Sequence, residues 1–266
     1  VNDIALYFRY TKISIKGQLE YRTSFVLQAA GQAILTATEF LGIWAMFSRF
    51  GQLRGWTLPE IAMFYGAINV AFSIADALSR GFDQFGNMVK SGDFDRLLLR
   101  PRSTVLQLIG QEVTIRKVGR LLQGIIVLAW AISAMHVGLS TGTAGLLLIA
   151  ILSGVCLFTG LVILQATSAF WATESLEVWN AFTYGGVLMS QYPISIYRSW
   201  FRRFFTYVIP LACVTYYPIL AVLNRMDPLG SVGWIQWVAP MAGILFLLIA
   251  LQVWKIGVQH YRSTGS

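Results

Sequence analysis

LLQGIIVLAWAISAMHVGLSTGTAGLLLIAILSGVCLFTGLVILQATSAFWAT, residues 121–173, contains no Asp, Glu, Lys or Arg. A bilayer span takes about 20 apolar residues, so this run holds two spans and the turn between them. The turn falls at His136 to Thr143, where Gly138, Ser140, Thr141 and Gly142 collect. The rest of the chain agrees with this reading. Its 266 residues are 56% hydrophobic and 12% charged, with mean hydropathy +0.62. A soluble domain carries about 25% charged residues, so an ordinary soluble enzyme, a disordered tail and a nucleic-acid-binding domain are excluded.

Working outward, Val178 to Tyr197, Phe204 to Asn224 and Pro228 to Trp254 are also free of charge. Ser24 to Ser48 carries only Glu39 and Arg49 follows it; Ile61 to Ser79 carries only Asp76. Apolar stretches therefore lie at 24–48, 58–79, 115–136, 143–171, 178–196, 204–223 and 232–255. Arg9, Lys12, Lys16 and Arg22 precede the first. Arg80, Lys90, Arg96, Arg100, Arg102, Arg116, Lys117 and Arg120 follow the second. A hairpin of the first two spans gathers most of the 20 basic residues on one side, which the positive-inside bias makes cytoplasmic. Lys255 and Arg262 join them if the last span ends inside.

Parity then asks one stretch not to cross. The 204–223 stretch contains Pro210 and Pro218, with Tyr216 and Tyr217 beside the second. Proline breaks helix hydrogen bonding, and such backbone is tolerated at membrane depth only inside protein or along a cavity. The reading is a re-entrant element; the alternative is a proline-kinked span. Residues 3–20 read as an amphipathic helix on the membrane, with Ile4, Phe8, Ile15 and Leu19 on one face and Arg9, Lys12, Lys16 and Glu20 on another. The opening segment lacks the apolar core of a cleavable signal peptide.

The segment Arg80-Gly-Phe-Asp-Gln-Phe-Gly-Asn-Met-Val-Lys-Ser-Gly-Asp-Phe-Asp-Arg-Leu-Leu-Leu-Arg-Pro-Arg102 mixes five basic and three acidic residues with Phe82, Phe85, Met88, Phe94 and Leu97 to Leu99. Apolar anchors with charges that set register suit docking on another protein. The same residues also suit a loop packed on its own bundle or on headgroups. No G-x-x-x-x-G-K-[ST] loop is present, since none of Lys12, Lys16, Lys90, Lys117 and Lys255 follows glycine. His136 and His260 lack a neighbouring ligand set, Cys156 and Cys213 lie in apolar stretches, and no catalytic carboxylate pair stands out. Neither a metal site nor a disulfide framework is expected. Glu39 and Asp76 are acids inside spans, and such acids face the protein interior or a water-filled path. Arg80, four residues after Asp76, is a possible local partner.

The chain resembles the membrane subunits of ABC-2 type exporters, in particular the small six-span permeases of bacteria. The resemblance rests on the amphipathic lead-in, on Gly55-Trp-Thr-Leu-Pro-Glu-Ile61, on Lys90-Ser-Gly-Asp-Phe-Asp-Arg-Leu-Leu-Leu-Arg-Pro101 and on Val208-Ile-Pro-Leu211 through Tyr217-Pro-Ile219. It implies an all-α membrane bundle of six spans forming a single domain over residues 1–266. Its parts would be a connecting helix at 1–22, spans one to five over 23–196 with a coupling region at 80–102, an extracytoplasmic re-entrant segment at 197–231, and span six with a cytoplasmic tail at 232–266.

The resemblance also implies partners: two ATP-binding subunits, which hold the ATP and Mg, and a second permease, identical or homologous. Phe82, Phe85, Met88, Asp93 and Phe94 would touch the ATPase, with Asp95, Arg96, Arg100 and Pro101 setting the turn and its charge pairing. Glu39, Phe72, Asp76, Trp179 and Tyr184 would lie along the path, and Pro210, Tyr216, Tyr217 and Pro218 at the outer gate. The chain itself would be no enzyme, with no cofactor of its own and no nucleic-acid partner. It would sit among lipids of the bacterial inner membrane, both termini cytoplasmic, exporting a hydrophobic or amphiphilic solute. An ion-driven secondary transporter, a membrane scaffold and a membrane enzyme are the competing classes. Functional coupling acids, partner binding without ATP turnover, and a catalytic cluster would mark them respectively.

Overall fold

Thr57-Leu-Pro-Glu60 starts the helix around which the chain is arranged. The Glu60 carboxylate accepts from both the Thr57 amide (2.7 Å) and its hydroxyl (2.9 Å), and proline occupies the first turn, where its missing N–H costs nothing. The computed structural model describes residues 3–111, 114, 117–135, 138, 140–171 and 176–261. Its elements are α1 (Asp3–Glu20), α2 (Arg22–Phe50), α3 (Leu58–Asp83), α4 (Phe85–Ser91), α5 (Asp93–Leu98), α6 (Thr104–Gln111), α7 (Val118–Ala134), α8 (Thr141–Ser168), α9 (Leu176–Ser190), α10 (Ser199–Arg203), α11 (Leu211–Val214), α12 (Tyr216–Val222), α13 (Gly233–Val238) and α14 (Met241–His260). No strand ladder occurs among the described residues, so the fold is all-α.

Arg22–Phe50, Leu58–Ser91, Thr141–Ser168 and Met241–His260 are each long and apolar enough to cross a membrane, and α7 is apolar but shorter. This is a polytopic membrane helix bundle. The stretch read from sequence as 178–196 is α-helical only to Ser190; the chain is extended at Pro193 and then makes one 3-10 turn at Ile194–Ile196. His136, Arg116 and Arg262 lie outside the described residues, as do the side chains of Ile4, Phe8, Arg9 and Leu19.

Most of α3 is buried from Ile61 to Ala75, with α7 and α8 packed along it and α14 on the far side of α8. Without a hydrophobic drive between helices in lipid, close approach depends on small residues. Gly66 and Gly124 make the α3–α7 contact: a Cβ on Gly66 would lie 2.7 Å from Leu128 Cβ and 2.9 Å from the Gly124 carbonyl. α2 sits on the outside, with Val26, Leu27, Ile34, Leu35, Leu41 and Trp44 facing away from the bundle.

The 204–223 stretch is a bent helix pair. Ser199–Val208 and Leu211–Val222 meet at 73°, about the broken helical bonding at Pro210. Before the bend, the Ile196 carbonyl accepts from Arg54 (3.0 Å). After it, Arg225 donates to the Gly55 carbonyl (2.8 Å). Both flanks thus touch adjacent residues of the loop between α2 and α3. At the opposite end, α1 meets α6, and the last turns of α14 meet α4 and α5.

Gly81 shows how tightly that end is built. A Cβ there would lie 1.9 Å from the Leu108 carbonyl oxygen, whereas Gly42 has nothing within 4 Å. Gly81→Ala is expected to cost about 1–3 kcal/mol through overpacking and to lower the thermal midpoint in detergent, with Gly42→Ala unchanged. Equal midpoints for the two variants would contradict the α3–α6 contact.

Candidate functional site

Two regions concentrate chemistry. The first is built where α3 runs past Gln84 into α4, and Gly92 (φ +74°) reverses the chain into α5. Glycine suits this left-handed position because a Cβ would be strained there. Ser91 Oγ donates to Asp93 (2.6 Å) at the start of α5, and Asp93 and Asp95 complement the helix dipole. Gln107 of α6 ties down the following turn through the Leu97 and Arg102 carbonyls (3.2 and 3.1 Å).

An aromatic box holds the hairpin from inside. Phe85 meets Phe94 and Trp254 at 4.9 Å and Phe170 at 5.1 Å, Phe82 meets Trp254 at 5.1 Å, and Phe94 meets Tyr261 at 5.0 Å. Trp254 completes it by donating to Thr104 Oγ1 (3.0 Å). Burial first, and then the Asp95 carboxylate, push the Tyr261 phenol above its ordinary range.

This geometry corrects part of the sequence reading. Phe82, Phe85 and Phe94 have no more than 1% of their surface exposed and pack on the chain's own bundle, while the sequence reading turns them to the ATPase. The outward face carries Asp93, Arg96, Leu99, Arg100 and Pro101, with Met88 and Asp95 half-buried beside it. Arg96 makes a loose pair with Asp93 (3.9 Å). A groove of about 570 Å³ runs between this hairpin and Ile13 and Ser14 of α1.

The second region lies along α3 and α7. Tyr65, Asn69, Ser73, Asp76, Arg80 and Asp83 follow one stripe of α3 at helical spacing. Lys117 of α7 reaches Asp76 at 2.6 Å and the Tyr184 hydroxyl of α9 at 3.3 Å. One turn on, Arg120 meets both Glu39 oxygens of α2 at 3.4 and 3.5 Å. Both cations lie over the Phe72 ring, at 4.8 and 5.6 Å, and Phe72 packs edge-on to Tyr184 at 5.4 Å. Gln123 donates to Tyr65 (3.3 Å), whose hydroxyl donates to the Thr36 carbonyl (2.7 Å). Arg80 is met by Asp83, and Gln165 of α8 also donates to Asp83 (3.2 Å).

Glu39, Phe72, Asp76 and Tyr184 are therefore brought together, while Trp179 stands apart against Phe182. Lys117 and Arg120, counted in sequence with the basic loop, are the cations of this seam. The available signal was their i, i+3 spacing at the mouth of a charge-free run, opposite two span acids.

At the other end of α3, Arg225 pairs with Glu60 (2.6 Å) and lies 3.9 Å over Trp56. Tyr216 stacks on Phe64 (6.4 Å) and donates to Asp227 (2.7 Å). Tyr216 and Pro218 are buried, Pro210 caps α11, and Tyr217 is half-buried against Tyr216. Among the described residues no cluster of three or more His, Cys, Asp or Glu side chains is placed to hold a metal.

A family model described as ABC-2 family transporter protein matches residues 33–265. No curated protein and no solved structure matches the chain. The match covers most of the sequence, and the chain belongs to this family of membrane transport proteins.

Removing one ring should loosen the hairpin without unfolding the bundle. Phe94→Ala is expected to cost about 3–5 kcal/mol locally. Hydrogen exchange over residues 85–98 should then accelerate, while Arg96→Ala leaves it unchanged. Equal protection in the two variants would refute the box.

Proposed function

We propose that this member of the ABC-2 transporter family is the permease subunit of an ATP-driven exporter. It would pair with a second permease, identical or homologous, and be worked by two separate ATP-binding subunits that hold ATP and Mg. The observation that carries the reading is a rigid knob at one end of the bundle. α3 continues into the α4–α5 hairpin, three phenylalanines lock that hairpin inside, and Arg96, Leu99, Arg100 and Pro101 face outward. A hairpin held this way moves with α3 as one body, as transmission of domain closure requires. The absence of a phosphate-cradling lysine loop from the sequence fits a chain that borrows its ATPase.

On this reading the knob, α1 and the end of α14 lie in the cytoplasm of a bacterium, with the chain in its inner membrane. The bent 199–222 element lies on the outer side with Pro210, Tyr216, Tyr217 and Pro218 as gate. Glu39, Phe72, Asp76 and Tyr184 border the path of a hydrophobic or amphiphilic solute. A secondary transporter is less well supported, because Glu39 and Asp76 each hold a cationic partner.

The test is purification in mild detergent with every stoichiometric partner identified by mass. A Walker-motif subunit in a two-plus-two complex is the expected result. Arg96→Glu with Arg100→Glu should reduce its retention about tenfold or more by reversing charge at the contact. A chain recovered alone that moves solute down an ion gradient would overturn the proposal.

A further inference from the structure

Among the described residues, the charged seam of α2, α3 and α7 contains a cation whose coordination is incomplete. Lys117 sits 2.6 Å from Asp76, and Arg225 sits 2.6 Å from Glu60 and 2.8 Å from the Gly55 carbonyl. Arg120 differs. Its contacts with Glu39 are 3.4 and 3.5 Å, beyond the 2.7–2.9 Å usual for charge-assisted bonds. Its Nε is buried and has no hydrogen-bond partner among the described residues, although the residue is only 8% exposed. A guanidinium offers five N–H donors, and here one nitrogen holds a long bond to one carboxylate.

The space beside it is not filled. A trough of about 520 Å³ is lined by Gln32, Leu35, Thr38 and Glu39 of α2, Lys117 and Arg120 of α7, and Tyr184 of α9. A second hollow of about 340 Å³ shares Gln32, Leu35, Lys117 and Tyr184 with it and extends along α2 toward Asp76. These volumes fall in the range of small-ligand sites. The cations come from the α7 side, while Gln32, Thr38 and Glu39 of α2 and Tyr184 of α9 add neutral and acidic polar groups. The flank, formed by Leu35 and the neighbouring Ile34 of α2, is apolar and faces out of the bundle.

We propose that this trough binds an amphiphile through an anionic oxygen head, a phosphate or carboxylate, with the head on Arg120 and the apolar chain along α2. Arg120 lines the trough and is held there only by long bonds to Glu39, and an oxyanion supplies a closer acceptor for its guanidinium. A cationic head would meet Arg120 and Lys117, both already sharing the Phe72 face. Glu39 is the weakly held acceptor the ligand displaces, and the Gln32 side chain lines the same trough with a neutral amide donor. The assignment deepens the transporter reading by naming the chemistry of what enters the bundle. It rests on that reading only for the claim that the occupant is cargo.

The experiment uses the purified full chain in a neutral glycoside detergent, without ATP, so it stands apart from the search for an ATPase partner. Dodecyl phosphate and dodecyltrimethylammonium are titrated separately and bound copies are counted by native mass spectrometry. Dodecyl phosphate should occupy the site at about tenfold lower concentration than the cation, since only it supplies charge-assisted bonds to the guanidinium. Glu39→Gln should tighten dodecyl phosphate a few-fold by removing the competing acceptor. Arg120→Gln should erase the preference, and Arg120→Lys should retain part of it. Where Arg120→Gln does not survive purification, the sign of the Glu39→Gln change carries the test. Equal or better binding of the cation, weaker dodecyl phosphate binding in Glu39→Gln, or an unchanged preference in folded Arg120→Gln would overturn the proposal.

The lipid fraction separates the two sources of the head. A phospholipid that copurifies and is released mole for mole by dodecyl phosphate identifies the bilayer as the source. A site that fills without displacing lipid identifies a solute. Both support the oxyanion assignment.

Discussion

The constraint on which the bundle depends is that α3 is buried and yet carries a polar stripe. At membrane depth, water does not satisfy those groups, so neighbouring helices must. The placement of α7 and α2 follows. α7 brings Gln123, Arg120 and Lys117 down one side at helical intervals. α2 presents Glu39 and the Thr36 carbonyl from the outside, and α8 offers Gln165 to Asp83. Small residues make the approach possible, because Gly66 and Gly124 let the α3 and α7 backbones come close enough for these reaches.

The same helix joins two anchored ends. At its start, the capping box spends one Glu60 oxygen on Thr57 and leaves the other for Arg225, which follows the bent element. At its finish, the aromatic box fixes the hairpin to α8 and α14. On the proposed function, a displacement applied to the hairpin would be delivered along α3 to the loop that holds both flanks of the bent element. Packed interfaces of this kind shift between discrete arrangements and do not deform smoothly.

Much of this was legible in the sequence, for physical reasons. The charge-free runs located the long helices because the bilayer excludes charge over a fixed length. Pro210 located the bend because it lacks the amide a continuous helix needs. Thr57-Leu-Pro-Glu60 carried its own capping signal. Direction was not legible. Phe82, Phe85 and Phe94 read as anchors, but anchors toward a partner and anchors toward the chain's own bundle have the same composition. The choice was made by Phe170, Trp254 and Tyr261, from segments far away in sequence. Lys117 and Arg120 were hidden differently. A charge tally gives loop cations and span cations the same weight, and only the facing of α7 onto α2 and α3 separates them.

The charge pairs themselves are poorly explained as stabilising devices. Desolvating two ions offsets most of their attraction, and well-packed apolar residues of similar size serve the fold as well or better. Lys117 and Asp76 satisfy each other closely, and their pairing accounts for itself as the neutralisation of an acid on a buried helix. Arg120 and Glu39 do not, because the bond is long and one guanidinium nitrogen is left over. A pair held at that distance beside an open trough is easily exchanged for a better acceptor, with little loss to the bundle. Its looseness makes sense as a property of a site that receives something, one turn along from the Lys117–Asp76 pair that reaches the buried α3.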